Sequence, residues 1–288
     1  MTPATDDAYP ARPDRLLTAV PDRTAPARAN GDPRPTPPVL ADWDAQQAAY
    51  IADREGRFAV ILDVLALTLG EMPVVVDLAC GPGSLAVRIL ERFPGSRVVA
   101  VDVDPLLLRV AGEALAPFGD RATTLDADLT RGEWTDAVVD ALGGDRPTAA
   151  TSTTALHWLT PHELVAVYAR TARLLAPGGV LLNGDHLRFD DRHPTLRRIS
   201  AVHDEETQAR GFAAGAPTWD AWWSRARALP GGDALAAERE RRFAGRDAPP
   251  PTTLDFHVEA LRQADFAEVA PVWQLLDDYV VFGRTPVL

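Results

Sequence analysis

Residues 74–84, VVVDLACGPGS, decide the fold. Three valines run without polar interruption into Asp77 and Leu78, the pattern of a strand buried on both faces. Residues 84–93, SLAVRILERF, then bring apolar side chains back at helical spacing. Gly81 and Gly83 therefore stand at a strand-to-helix turn. Glycine there permits positive φ and lets a ligand approach the main chain, while the helix N-terminus offers free N–H groups, so a nucleotide-type ligand is expected. Working outward, strands are predicted at 74–79, 97–102, 122–127, 147–152 and 179–185, and helices at 84–93, 105–116, 133–142 and 161–175. This alternation implies a doubly wound α/β sheet covered on both faces. Asp104-Pro105 reads as an N-cap with proline at the first helical position, and Thr160 with Glu163 as a capping box. A helix at 253–266 and two strands, 269–276 and 279–284, about an Asp277-Asp278 turn complete the pattern.

The second strand ends in Asp102, 21 residues after Gly81, the spacing at which an acid accepts hydrogen bonds from ribose hydroxyls. Gly81, Gly83 and Ala86 also satisfy a loose nicotinamide-site motif, but the strand closes on Asp77, whose charge would repel a pyrophosphate. All 29 basic residues are arginine, which removes a P-loop lysine, a pyridoxal Schiff base and the Tyr-x-x-x-Lys chemistry of short-chain dehydrogenases. The segment from Asp77 through Ala79, Gly81 and Gly83 resembles the cofactor site of class I S-adenosylmethionine (SAM) dependent methyltransferases of the small-molecule type. Ala79 stands for the family's first glycine; it keeps the turn small but is not expected to use positive φ freely. A carboxylate beside the turn attracts the ammonium and sulfonium of SAM. The resemblance implies a Rossmann-like seven-stranded sheet with an antiparallel last strand, N-terminal helices and a helical lid. It places Asp77, Ala79, Gly81 and Gly83 at the methionine end, Asp102 on the ribose, and Asp128 with the backbone of Leu129 on the adenine; Asp126 is read as a solvated neighbour.

With 288 residues and 46% apolar content the chain is long enough for one enzyme-sized core. A formal charge of -12 opposes a broad phosphate-binding face, so nucleic acid is not expected as substrate. One cysteine excludes an internal disulfide, no apolar run reaches membrane-spanning length, and no metal site is expected, so a cytoplasmic enzyme is read, with no membrane partner. Arginine without lysine and 25 prolines match the coding bias of GC-rich bacterial genomes. The expected layout is a disordered Pro-rich arm at 1–40, cap helices at 41–72, the SAM-binding core at 73–186, a lid at 187–250 and the closing helix and hairpin at 251–288. The oligomeric state is left open, a homodimer included.

Substrate-side candidates lie at the ends of the fourth and fifth strands: His157 and Trp158, then Asp185 and His186. A base is needed only if the acceptor loses a proton; histidine suits that role and a nearby carboxylate would hold its tautomer. His157, His186 and Asp185 are the catalytic candidates. Tyr50, which shares a helical face with Arg54, and Trp158, His203, Trp222 and Trp223 are the candidates for substrate contact. Two helices are predicted in the lid, at 195–210 and 218–228, with Trp219, Trp222 and Trp223 at helical spacing, so the lid is expected to bind substrate and not SAM. The tryptophan-rich lid and the Asp185-His186 strand end resemble enzymes that methylate aromatic natural products, indole C3-methyltransferases among them, which implies methyl transfer to a small aromatic specialised metabolite such as the carbon or nitrogen of an indole in a tryptophan-derived diketopiperazine. The alternatives are an O-methyltransferase of another aromatic natural product and a protein that binds SAM without transferring methyl.

Overall fold

The computed structural model describes residues 36–287, so positions 1–35 of the expected Pro-rich arm lie outside the described residues. Seven strands form one sheet: β1 (Val74–Leu78), β2 (Arg97–Asp102), β3 (Ala122–Asp126), β4 (Ala149–Thr153), β5 (Val180–His186), β6 (Glu268–Leu275) and β7 (Asp278–Arg284). Their order is β3-β2-β1-β4-β5-β7-β6, with β7 inserted antiparallel between β5 and β6 and the first five strands parallel. The order reverses between β1 and β4, which opens a crevice beyond the carboxyl ends of these strands.

Successive side chains alternate between two cores, as the twofold period of a strand requires. Val75, Val98, Leu182 and Val280 face α1 (Pro38–Tyr50), α2 (Arg54–Leu69), α3 (Ser84–Arg92) and α4 (Pro105–Leu115). Val76, Val99, Leu181 and Val281 face the opposite layer, whose helices α5 (Trp134–Ala141) and α6 (Pro161–Leu174) precede the insertion. That insertion contains α7 (Pro194–Ala213), α8 (Trp219–Arg227) and α9 (Gly232–Phe243), after which α10 (Leu254–Gln263) joins the second layer. Asp104 caps α4, accepting from the N–H groups of Leu106 and Leu107 at 2.9 and 3.2 Å. The Thr160 N–H donates to Glu163 at 2.8 Å to start α6. The exposed edge strand β6 carries Pro271 and a bulge between Pro271 and Trp273, features that blunt edge pairing.

Three details depart from the expected layout. Helix α1 starts at Pro38, inside the arm drawn to residue 40, because proline is at home at the first helical position. The insertion holds three helices, not two; α9 shows only a thin apolar stripe in a charged sequence and buries little beyond Gly232 and Ala236. Finally, the hairpin turn centres on Leu276 and Asp277, with Asp278 already paired to Leu275, since the Asp278 carboxylate is drawn inward by Arg57.

Candidate active site

Beyond β1 the chain passes through three left-handed residues, Ala79 at φ +50°, Gly81 at +57° and Gly83 at +89°. Ala79 thus takes the conformation its side chain disfavours, at a cost of about 1–2 kcal/mol. A Cβ on Gly81 would meet nothing within 4 Å, so the loop faces open space. Beneath it lies Asp77, fully buried. Thr151 donates to its Oδ1 at 2.8 Å, while Oδ2 is buried without a hydrogen-bond partner. Burial lifts the Asp77 carboxyl to about 7, outweighing hydrogen bonds from Thr151 and the Ala86 backbone. Asp102 is also buried and is lifted to about 6, although the N–H groups of Asp104 and Gly81 each donate to it at 2.8 Å. Two buried acids with no cation between them among the described residues fit a cationic cofactor: the orphaned Asp77 oxygen suits an ammonium, and Asp102 keeps lone pairs for ribose hydroxyls while holding the Gly81 loop.

Beyond β3, Asp128 accepts from the Thr130 N–H and hydroxyl at 2.9 and 2.7 Å and from Arg246 at 2.7 Å. Burial opposes its ionisation, but these donors hold its carboxyl below the usual range. Leu129 beside it is buried. A cavity of about 570 Å³ opens here, lined by Val103, Asp126, Asp128, Trp134, Arg242 and Arg246 among others. Asp126, read as a solvated neighbour, is half exposed but engaged by both terminal nitrogens of Arg242.

At the ends of β4 and β5 the acids are paired instead. Asp185 is fully buried; its Oδ1 meets His157 Nδ1 at 2.7 Å and its Oδ2 accepts the His157 N–H at 3.0 Å. Burial would raise the Asp185 carboxyl, yet the charges of His157, His186 and Arg57 hold it well below the ordinary carboxylate range. Burial would likewise lower His157, and its carboxylate partner outweighs it, so the imidazole sits above its ordinary value. The His157 ring is partly exposed and, among the described residues, Nε2 has no partner. The His186 ring lies 6.1 Å away and its Nδ1 contacts Asp278. Arg57, wholly buried, binds Asp278 at 2.7 Å and the Thr154 hydroxyl at 2.9 Å. It passes over Gly184, where a Cβ would come within 2.9 Å of its Cδ. Neither Arg57 nor Asp278 is marked by the sequence, apart from the oddity of an arginine abutting the apolar run 58–62.

The structure brings Trp158 beside His157, ring centroids 5.3 Å apart, and leaves it 66% exposed. The other predicted substrate contacts lie on other elements, α1, α7 and α8. Tyr50 and Arg54 do not share a helix: the chain breaks between α1 and α2, Tyr50 packs against Phe212, and Arg54 is buried on Asp44 at 2.9 Å. His203 is half buried on α7, whose next residue, Asp204, binds Arg188. Trp222 is turned into the core, its indole N–H donating to the Val39 carbonyl at 2.8 Å. Trp223 lies under the Arg239 guanidinium, 4.2 Å from its centroid. Helices α8 and α9 of the expected lid pack on α1 and α4, and arginines of α9 reach the ends of β2 and β3. No helix among the described residues is long and apolar enough to cross a membrane.

The methyltransferase domain family model matches residues 75–179. A ribosomal RNA small subunit methyltransferase H from Mycolicibacterium gilvum is 39% identical over 46% of this chain, but only 30% of that relative's length is covered. Trans-aconitate 2-methyltransferase from Methylobacterium nodulans is 30% identical over 65% of this chain and 69% of the relative. Among solved structures, human N-acetylserotonin methyltransferase with SAM superposes with a TM-score of 0.53 at 14% identity, over 85% of this chain and 56% of that one.

Proposed function

The chain belongs to the class I SAM-dependent methyltransferases, and on that premise we propose that it methylates a small aromatic acceptor whose leaving proton is taken by His157. The observation that carries this reading is the His157–Asp185 pair at the β4–β5 end. When bound, SAM supplies an electrophilic methyl group on a sulfonium that departs as S-adenosylhomocysteine. Asp77 and Asp102 hold the cationic and ribose parts, and Asp128 with Leu129 the adenine. Asp185 fixes His157 with Nδ1 toward the carboxylate, which leaves Nε2 to accept the proton as the acceptor atom bonds to carbon. Trp158 supplies a flat apolar surface beside that nitrogen. A phenolic hydroxyl, with an ordinary pKa near 10, is a much stronger acid than an indole N–H, so the dyad favours O-methylation over methylation of an indole nitrogen.

The likeness to trans-aconitate enzymes raises a polycarboxylate acceptor as the rival. The guanidiniums nearest this end are already committed: Arg57 to Asp278, and Arg188 to Asp204 and Asp277 at 2.9 and 3.0 Å. A polyanion would have to displace them. The test is incubation with methyl-labelled SAM and a panel of hydroxylated aromatics, a tryptophan diketopiperazine and trans-aconitate, read by mass. The reading expects one methyl gained on an aromatic, with equimolar S-adenosylhomocysteine, and about a 100-fold slower turnover in His157→Gln at unchanged SAM affinity. Methylation of trans-aconitate alone would replace this reading, and SAM binding without any turnover across the panel would turn it toward a binding protein.

A further inference from the structure

Three arginines of the insertion meet carboxylates at the ends of β2 and β3. Arg239 Nε donates to Asp104 at 2.6 Å, its guanidinium resting on Trp223 and, at 5.1 Å, on Phe243. Arg242 engages both oxygens of Asp126 at 2.5 and 3.0 Å and donates to the Val103 carbonyl at 2.9 Å. Arg246 donates to Asp128 at 2.7 Å. Positions 239 and 242 share one face of α9. The helix stops at Phe243, and Gly245, at φ +74°, turns the chain so that Arg246 continues the row. Arg242 and Arg246 thereby wall the same cavity whose other side is formed by β3 and α5.

We propose that this row of arginines is a strap that retains the cofactor, so that release requires Arg242 and Arg246 to leave Asp126 and Asp128. The proposal rests on the reading that the cavity receives the adenosine end of SAM. Charge and burial set its mechanics. The Asp104 side chain is only 3% exposed and Arg239 is stacked on two rings, so that pair is the anchor. Asp126 and Asp128 are 50% and 17% exposed, and Arg246 sits beyond the helix end, so the strap opens from the Arg246 side. A carboxylate has about four acceptor positions; Thr130 uses two on Asp128 and Arg246 one, which leaves one for an adenine amino group while the strap stays closed. Ion pairs open to solvent weaken in salt, so release is tied to ionic strength.

The experiment follows S-adenosylhomocysteine leaving the full-length protein by stopped-flow displacement, with melting curves recorded in parallel. In the wild type the off-rate should climb severalfold between about 0.05 and 0.5 M salt. In R242A/R246A it should start about tenfold faster and lose most of its salt dependence, at an unchanged melting temperature. R242D should be fast as well, and D126R/R242D should recover the slow release, which a merely stabilising surface pair would not do. An off-rate unaltered in R242A/R246A, or tighter binding in that variant, overturns the strap. Failure of the wild type to bind SAM or S-adenosylhomocysteine at all overturns the cofactor assignment, and the strap with it.

Discussion

The two ends of the crevice use the same residue type in opposite ways. Under the glycine turn, Asp77 and Asp102 are buried with no cationic side chain against them among the described residues, and their carboxyls are pushed up to about 7 and about 6. At the β4–β5 end, Asp185 is equally buried but carries the His157 ring on one oxygen and its backbone N–H on the other, with His186 and Arg57 close by, and is pushed down. Desolvation acts on all three; around Asp185 internal cations outweigh it, whereas neighbouring carboxylates add to it at Asp77 and Asp102. The first end is left open to a positive charge brought by a ligand, while the second is neutralised from within and keeps an imidazole nitrogen free. On the proposed function, location of the counter-charge, and not the acids themselves, separates binding from proton transfer here.

The contrast can be broken most forcefully at Asp185. Asp185→Asn removes the charge that orients His157 and raises its basicity, so turnover should fall by about 100-fold or more and the acidic limb of the pH–rate profile should move down. SAM affinity, measured by calorimetry, should stay within about twofold of wild type. Asp77→Asn attacks the other end. Losing a charge-assisted hydrogen bond to the ammonium costs about 1.5–3 kcal/mol, so SAM should bind at least about tenfold more weakly. The cofactor-free variant should melt no lower than wild type, because a buried uncompensated carboxyl has been replaced by an amide of the same shape.

pH sharpens the comparison. Between about pH 4 and 7 the folded, cofactor-free protein holds protons on Asp77 and Asp102 that the unfolded chain has released, so their contribution to stability falls as pH rises through that window. Asp185 does the reverse: its depressed carboxyl stabilises the fold above the ordinary carboxylate range and that contribution is lost on acidification. His157, raised, stabilises the fold below its ordinary pKa and loses that contribution as pH rises through its folded value. SAM, being cationic, should bind severalfold more tightly at pH 7.5 than at 5.5 and release protons on binding, seen as a buffer-dependent calorimetric enthalpy. The smallest effect is expected away from both ends. Trp222→Phe removes the indole N–H that donates to the Val39 carbonyl, which keeps its own helix hydrogen bond, and should cost about 0.5–1.5 kcal/mol in stability, with SAM affinity and acceptor KM unchanged.

Much of this was legible in the sequence because it is local. Strand β1, the left-handed Gly81 and Gly83, the Asp104 cap and the acids at the ends of β1, β2 and β3 lie within single strand-turn-helix units, where periodicity and φ preference act over a few residues. Even there a partner was invisible: Ala79 takes positive φ against its own preference because the surrounding turn dictates it. The acceptor end reads only in part. His157, Asp185 and His186 follow from strand position, whereas Arg57 reaches Asp278 across 221 residues of sequence. Trp222, Trp223 and α9 show the same limit. Spacing told that tryptophans share a helical face, but whether that face meets a ligand or Val39 depends on how α8 docks, and the pairing of Arg239, Arg242 and Arg246 with Asp104, Asp126 and Asp128 spans more than 100 residues. The sequence by itself determined the α/β order and the cofactor turn, since short-range sterics and hydrophobic period decide them. Tertiary structure alone decided which acids received a cation, because a counter-charge is supplied by whatever element packs alongside, and packing is a property of the whole chain.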